Sequence, residues 1–549
     1  MKSKKYLSQI SIVTGLALAL ALTTSAPSAR ANVYASNIKV NGVLTGSATV
    51  GQGSGATITY ILNEPASSGV TIKILSGATL VRSITILGGI AGTTRGLNTV
   101  VWDGKNNGNA NVAPGNYTVS VSASSSGYLV WTQILTNTNT KVYWSSGIAV
   151  DTTTNSAYYG RVMVANGVTT ALNVAPHPVG IVKFNADGSE ADEGQSDAGN
   201  PFVTDSWLGD SCRSLKYGTD DRVYYDDWTG SGRIIACDMI MSSNQVVLDS
   251  ANFFGTASGG NWADIDVTDL GTTNAMAWFA DGGYPSVGVW CWPLTNNGVA
   301  DPTFAGINVL ASGGAAIPLR SGYGMMIDTA GDIFLGEVRS NPTDTSVKLT
   351  CITNWQSASS LPIVSANIGW QDGAESDSVF RSVEAVAIDS RSNPKYVSAA
   401  FSASSGGLIV VNAADGTVVT NINQNLAVYY IGTCFDNVGN VYAGNANAAT
   451  PWEVFSPPGA NQATTPAVAT IQVTVPLAIS NIAVSGGTAT IKFAGNPSDP
   501  ASAFKLFSSG TVNGTYSLAT DAVITGSAGS YTATVAASSA AQFYRIERP

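Results

Sequence analysis

The sequence predicts an all-β protein in three modules: a β-sandwich, a six-bladed β-propeller and a C-terminal β-sandwich. Three observations carry that expectation. A short strand phrase ending at an acid or turn residue recurs six times through the middle of the chain. The segments flanking this array alternate apolar and polar residues with the period of a half-buried strand. Hydrophobic residues make up 44% of the 549 but charged ones only 11%. That is enough apolar content for packed cores, with Gly, Ser, Thr, Asn and Ala standing where helical proteins place Lys and Glu.

In chain order, Lys2, Lys4 and Lys5 precede an apolar run from Ile10 to Leu22, and Ala29-Arg30-Ala31 fits a small-x-small cleavage rule. Residues 1–31 therefore read as a secretory signal peptide, with Asn32 as the first mature residue. The apolar run is too short to span a bilayer, and no transmembrane segment is expected after cleavage. Cleavage removes four bases and no acids, so the formal charge moves from −10 to −14. An acidic surface without a Lys/Arg cluster repels phosphate backbones, which argues against nucleic-acid partners. The expected location is extracellular or at the cell surface.

Residues 32–125 read as short strands between Gly/Ser/Asn turns. Residues 101–123, VWDGKNNGNANVAPGNYTVSVSA, look at first like a calcium loop. Counting from Asp103, Lys105 falls at the third position and Pro114 at the twelfth, where such a loop needs oxygen ligands. As a strand-loop-strand the stretch works: Gly104 and Gly108 allow positive φ, and Pro114-Gly115 turns the chain into a strand at Tyr117. Val101, Trp102, Asp103, Gly104, Gly108, Val112, Gly115 and Tyr117 supply a pattern that resembles the Ig-like domain of bacterial flagellar hook-capping proteins (FlgD). The resemblance covers roughly residues 34–123. It implies an accessory Ig-like sandwich of a kind that recurs on secreted bacterial proteins. A signal peptide and a propeller are not expected in a hook cap, so flagellar function is not carried over.

Residues 126–458 read as the propeller. The recurring phrases are GIAVD (147–151), SLKYG (214–218), DIDVT (264–268), GMMID (324–328), AVAID (385–389) and GTCFD (432–436). A third strand in each unit aligns on Phe184, Cys237, Cys291, Cys351, Val411 and Phe455, with a repeat of about 54 residues. Strand material at 128–144 is expected to close the ring, since an unlatched propeller leaves sheet edges exposed. Through G-I-A-V-D and D-x-x-G-x-x-Y the array is similar to NHL-type and gluconolactonase-like propellers. That superfamily hosts binding proteins and hydrolases alike, so the likeness does not decide function. Pro457-Pro458-Gly459 ends the last blade, and the Ala/Thr/Pro-rich run 459–475 reads as a linker. Residues 476–549 read as a second sandwich, Ig- or fibronectin-like, and are similar to small β-modules that end many secreted bacterial propellers.

The chemistry-bearing residues are few. The one histidine, His177, lies between prolines in a loop, which removes support for histidine triads and multi-histidine zinc sites. Cys237, Cys291 and Cys351 fill a slot that other units fill with Phe or Val, so they read as buried thiols; Cys212 and Cys434 stay open. Aligning the inner strands places Ser146, Arg213, Ala263, Tyr323, Glu384 and Ile431 in one ring at the channel mouth, with Trp262 and Asp264 flanking the third. Arg213, Trp262, Asp264, Tyr323 and Glu384 are the candidate ligand-binding residues. No catalytic residue is assigned. Gluconolactonase-like propellers use channel carboxylates around a divalent metal, and only Asp264 and Glu384 fit that role here. The acidic stretches 186–197 and 224–228 lack the oxygen spacing of a known calcium loop, so no cofactor is expected, with calcium the one ion left open. Trp207, Tyr224, Tyr225 and Trp228 read either as sugar-stacking aromatics or as core.

The expected function is non-catalytic recognition or scaffolding, binding an extracellular protein or polysaccharide through the propeller. The alternatives are a metal-dependent lactonase- or esterase-type hydrolase and an extracellular assembly subunit. Oligomeric state is left open.

Overall fold

The computed structural model describes residues 32–135, 140–142, 144–166, 180–191, 212–227, 232–249, 262–281, 288–311, 322–337, 349–363, 367–372, 383–389, 396–401, 407–423, 428–446, 450–497, 499–537 and 542–548. The expected signal peptide lies outside them, as do His177, Trp207 and Trp228. Among the described residues no helix is long and apolar enough to cross a membrane.

In the first sandwich, Trp102 and Tyr117 meet in the core with ring centroids 5.8 Å apart. Their polar tips close the loop between them: Trp102 Nε1 donates to Lys105 O at 2.9 Å and Tyr117 Oη to Ala113 O at 2.6 Å. Gly104 has φ +74°, and a Cβ there would lie 2.3 Å from Ser54 O, so only glycine fits. The other left-handed residue of the loop is Asn109 rather than Gly108. Residues 101–123 are thus a strand-loop-strand.

One sheet of this sandwich contains Ala35–Val40, Ala56–Leu62 and Gly96–Trp102. The other runs in the order Ser47–Gly51, Thr470–Thr474, Gly115–Tyr128, Gly69–Ser76, Thr79–Ile86, and Gly459–Pro466 also pairs with Gly115–Tyr128. The run 459–475, expected as a linker, is therefore two strands of the first sandwich. Ala469, Ile471 and Val473 point into its core beside Val50, Tyr117 and Val119. The long strand continues to Tyr128, past the expected boundary at 125, and Tyr128 pairs with Gly459. The propeller is thus inserted into a sandwich built from both sides of it.

The propeller has six sheets. Blade 1 contains Ile148–Val150, Val162–Asn166 and Gly180–Phe184. Blades 2 to 5 have four strands each, beginning at Leu215–Tyr217, Trp262–Thr268, Gly322–Ile327 and Val383–Ile388. Blade 6 contains Tyr430–Phe435, Val441–Asn445 and Glu453–Ser456, and Thr132–Gln133 supplies its outermost strand. The chain entering the propeller therefore latches onto the last blade, as the need to cover sheet edges requires. Each inner strand neighbours the next, and that of blade 6 neighbours that of blade 1. Six apolar cores fill the successive interfaces, the sixth packing Ile148, Val162 and Phe184 of blade 1 against Tyr442, Trp452 and Val454 of blade 6. The ring is closed.

Asp436 and Asp328, which end two of the repeated phrases, cap the first hairpin of their blades. Asp436 Oδ1 accepts the N–H groups of Val438, Gly439 and Asn440 at 3.0, 2.7 and 2.9 Å. Asp328 Oδ1 does the same for Ala330 and Asp332. The third-strand slot holds in four blades: Phe184, Cys237, Val411 and Phe455 all face the preceding blade. In blades 3 and 4 the equivalents are Trp292 and Ile352, one residue beyond the expected Cys291 and Cys351, which face the following blade instead. A one-residue slip reverses the face of a strand residue. The conclusion on chemistry is unaffected, because all five cysteines are free thiols.

The C-terminal sandwich packs the sheet Ala478–Ser485, Thr488–Ala494, Ser530–Ala536, Val523–Ser527 on the sheet Ser517–Leu518, Lys505–Ser509, Phe543–Glu547. Its core centres on Phe493, Phe504 and Tyr531.

Candidate functional site

On the face where inner strands end, the turns 218–221, 328–332 and 436–440 are short, whereas the connections 151–161, 294–306 and 353–367 are longer. The first sandwich packs there against blades 1 and 6. Tyr34 lies over Tyr159 and bonds the Tyr442 hydroxyl at 3.3 Å, and the Arg95 guanidinium donates to Asp187 O and Ile134 O at 2.6 and 2.8 Å. On the face where inner strands begin, the connections are long: 250–261, 312–321, 338–348 and 373–382.

At this second face the inner strands of blades 3 to 6 share one irregularity. Their pairing shifts by one residue between Trp262 and Asp264, Gly322 and Gly324, Val383 and Ala385, and Tyr430 and Gly432. The bulged residues are Ala263, Tyr323, Glu384 and Ile431, four members of the ring expected from the alignment. A bulge re-aims a side chain and bends its strand, which suits a channel rim. The Glu384 carboxylate meets Arg213 with Oε2 3.5 Å from Nη2, and both side chains are largely buried. Blades 2 and 5 stand opposite one another in a ring of six, so this ion pair crosses the channel. The side chains of Trp262 and Tyr323 lie outside the described residues, although their backbones are on the expected strands.

Asp264 does not join Arg213 and Glu384 at the mouth. It is 3% exposed and lies between blades. Ser214 Oγ donates to it, Met325 N–H donates to Oδ2 at 2.6 Å, and Lys216 Nζ lies 3.3 Å from Oδ1. Lys216 also donates to Met325 O at 3.0 Å, and Ile327 N–H donates to Asp266 Oδ2 at 2.7 Å. Neighbouring inner strands of a propeller share no backbone ladder, so these two carboxylates take up the amides of blade 4 that would otherwise lack acceptors. The expected pocket of Arg213, Asp264, Tyr323 and Glu384 is therefore divided: Arg213 with Glu384 at the rim, and Asp264 with Lys216 in the wall. Among the described residues, no group of three or more His, Cys, Asp or Glu gathers as a metal site would require. Tyr224 and Tyr225 are core residues.

The wall contains one further acid. Asp226 is fully buried, and its Oδ1 accepts the N–H groups of Arg213 and Ser214 at 2.7 Å each. Burial pushes its carboxyl up to about 8, against the lowering effect of those two bonds; the Asp264 charge raises it further and Arg213 opposes. Between the ordinary carboxylate range and pH 8 the folded protein holds a proton that the unfolded chain has released, so stability falls as pH rises through that window. Asp226→Asn keeps the acceptor oxygen and removes the charge. Thermal unfolding followed from pH 4 to 8 is expected to show a flatter pH profile and higher stability at pH 8 for this variant; profiles parallel to wild type would count against it.

Inside the channel, Val150, Lys216, Asp266, Met326, Ile388 and Cys434 help line a cavity of about 100 Å³ to which all six blades contribute. A larger cleft of about 460 Å³ opens between blades 3 and 4 on the face where inner strands end. Its floor is the edge-to-face pair Trp278–Trp355, with centroids 5.2 Å apart. Its rim carries Asp269, Asn274, Asp328 and Gln356. Ligand pockets run from roughly 300 to 1,000 Å³, so the cleft has the size of a binding site and the channel cavity does not. None of these six residues was read as a binding residue from the sequence, where Asp328 figured only as the acid ending a repeated phrase. The rim residues sit on hairpin turns and after a third strand in two different units, and only the packing of one blade on the next assembles them.

Residues 46–127 match the FlgD Ig-like domain family. The match lies within the first sandwich and leaves its last two strands, from beyond the propeller, outside it. No curated protein matches the chain. Among solved structures, the soluble aldose sugar dehydrogenase (Asd) from Escherichia coli in its apo form aligns at 10% identity, covering 61% of this chain and 99% of that one, with a TM-score of 0.35. At that level the likeness says nothing of what this chain binds or does, and the propeller rests on its own six sheets.

Proposed function

We propose that the protein is a secreted, non-catalytic recognition protein that binds a polysaccharide through its propeller. The observation that carries this reading is the cleft between blades 3 and 4. An indole-edged floor under a rim of amide and carboxylate groups matches a sugar, which has apolar C–H faces and a belt of hydroxyls. The non-catalytic part is supported by the two carboxylates that a lactonase-type propeller would need. Asp264 is engaged by Lys216 and by blade 4, and Glu384 by Arg213, so neither is presented to a metal shared with the other.

The test is a glycan screen on the purified full-length protein, with and without calcium, followed by substitution. Asn274→Ala and Gln356→Ala are each expected to weaken binding by about three- to tenfold, the worth of one hydrogen bond, while Arg213→Ala leaves affinity unchanged. Binding lost with Arg213→Ala and retained in the cleft variants would place the ligand at the channel mouth instead.

A second reading, an assembly subunit, is favoured by one strand. Ala478–Ser485 is exposed along its whole length at a sheet edge, carries no charge, and presents Ile482 at 47% and Val484 at 64% exposure. Such an edge is a template for pairing with another chain. Light scattering is expected to show concentration-dependent association that Ile482→Lys abolishes, and a monomer at all concentrations would remove this reading.

A further inference from the structure

The first described residue, Asn32, is fully buried where the first sandwich meets the propeller. Its carbonyl accepts Asn63 Nδ2 from the sandwich at 2.9 Å and Asn440 Nδ2 from blade 6 at 3.0 Å. Asn461, on a strand returning from beyond the propeller, brackets Val33: Val33 N–H donates to Asn461 Oδ1 at 3.2 Å, and Asn461 Nδ2 donates to Val33 O at 3.1 Å. Tyr34 N–H donates to Asn63 Oδ1 at 2.9 Å. Residues 32–34 are thus held by three asparagines from three separate parts of the chain.

Around Asn32 the hydrogen bonding is incomplete. Glu64 is 1% exposed, and its Oε2 accepts the Tyr128 hydroxyl at 2.6 Å. The Asn32 N–H lies within hydrogen-bonding reach of this carboxylate. Yet Glu64 Oε1, Asn440 Oδ1 and both polar atoms of the Asn32 side chain, Oδ1 and Nδ2, are buried without a partner, so three acceptors there face a single unused amide donor group. A peptide nitrogen offers one hydrogen, whereas an ammonium offers three. The charges are also uneven: the Asp436 carboxylate bears on Glu64, and among the described residues Arg95 is the cation that bears on it. Burying Glu64 raises its carboxyl to about 6, with the Tyr128 and Asn32 hydrogen bonds opposing.

The geometry points to a processed N-terminus at Asn32 whose α-ammonium is the missing partner, buried as an ion pair with Glu64 and fastening the sandwich to the propeller. This rests on the secreted reading above. A signal peptidase uses water to hydrolyse the Ala31–Asn32 peptide bond, leaving a carboxylate on Ala31 and an amine on Asn32 that takes up a proton. Because Asn32 is inaccessible in the folded protein, cleavage precedes folding, as it does for a chain that crosses a membrane unfolded. The ammonium then balances the second carboxylate and supplies donors that a continuing peptide chain lacks.

The test uses the full chain expressed with its leader in a secreting bacterial host. Intact mass and N-terminal sequencing are expected to give Asn32 as the first residue. Acylation with an N-hydroxysuccinimide ester at neutral pH is then expected to modify the α-amine about tenfold or more slowly in the folded protein than in urea, since raising the pKa of an amine by one unit makes its free base tenfold scarcer. Glu64→Gln should raise the folded rate toward the urea rate. Two glycines inserted after Ala31 should do so fully, whatever the fate of the Glu64 variant. A secreted chain starting elsewhere, or an Asn32 α-amine acylated equally fast folded and unfolded, overturns the inference while leaving secretion intact. A chain that keeps residues 1–31 overturns both.

Discussion

A chain ending at residue 458 is expected to lose its N-terminal sandwich along with its C-terminal one, whereas a chain ending at 475 keeps it. The two differ only by the run that composition marks as a linker. That run places Ile471 and Val473 fully inside the first sandwich and pairs its backbone along Gly115–Tyr128. Burying two such side chains contributes about 3–6 kcal/mol, before the lost strand ladder is counted. A domain's whole stability is about 5–15 kcal/mol, so the shorter chain falls to the margin or below it. All six blades and the closing strand Thr132–Gln133 remain in the shorter chain, so the propeller itself survives. Hydrogen exchange read on peptides covering 101–123 distinguishes the outcomes: protection present in the 475 chain and absent in the 458 chain is the expected result. Equal protection in both would show that the returning strands are dispensable.

The second large effect is expected at Lys216. Replacing it by Met leaves the Asp264 carboxylate buried without a counter-charge, which costs about 3–5 kcal/mol. Burial already raises the Asp264 carboxyl, and Lys216 is the leading influence that lowers it again, so the remaining acid is held against its preference. Adding Asp264→Asn removes the stranded charge, and the amide oxygen can still accept Met325 N–H or Ser214 Oγ. The double variant is therefore expected to be more stable than Lys216→Met alone, with strong non-additivity in a double-mutant cycle. Urea unfolding of the propeller measures it, and additive single effects would show that the two side chains do not act as a pair.

Much of the architecture was legible because a propeller repeats its grammar. The inner strands, their terminal acids and the closing strand all lie where the six phrases place them. The alignment also put Ala263, Tyr323, Glu384 and Ile431 at equivalent positions of their strands, and the backbone bulges at each of them. What lay beside a bulge was not legible: Asp264 follows Ala263 by one residue, and that step carries it from the channel mouth into the wall. The slip at Cys291 and Cys351 has a related cause. Blade strands such as Gly288–Pro293 are apolar on both faces, as Cys291 and Trp292 show, so no alternation fixes the register. The segment 459–475 was misread because its partner strand lies more than three hundred residues upstream, and such pairing leaves no local mark beyond the weak alternation of Ala469, Ile471 and Val473. The cleft between blades 3 and 4 was invisible for the reason that it belongs to neither blade.

Tyr128 and Gly459 face each other on adjacent strands, so the chain leaves for the propeller and comes back on the same rung. Tension applied between the first sandwich and the C-terminal one therefore passes through Thr470–Thr474, a strand of the first sandwich, and skirts the blades. The propeller hangs beside the line of force like a wheel on a side bracket, able to keep its blades undistorted while the two sandwiches are pulled apart.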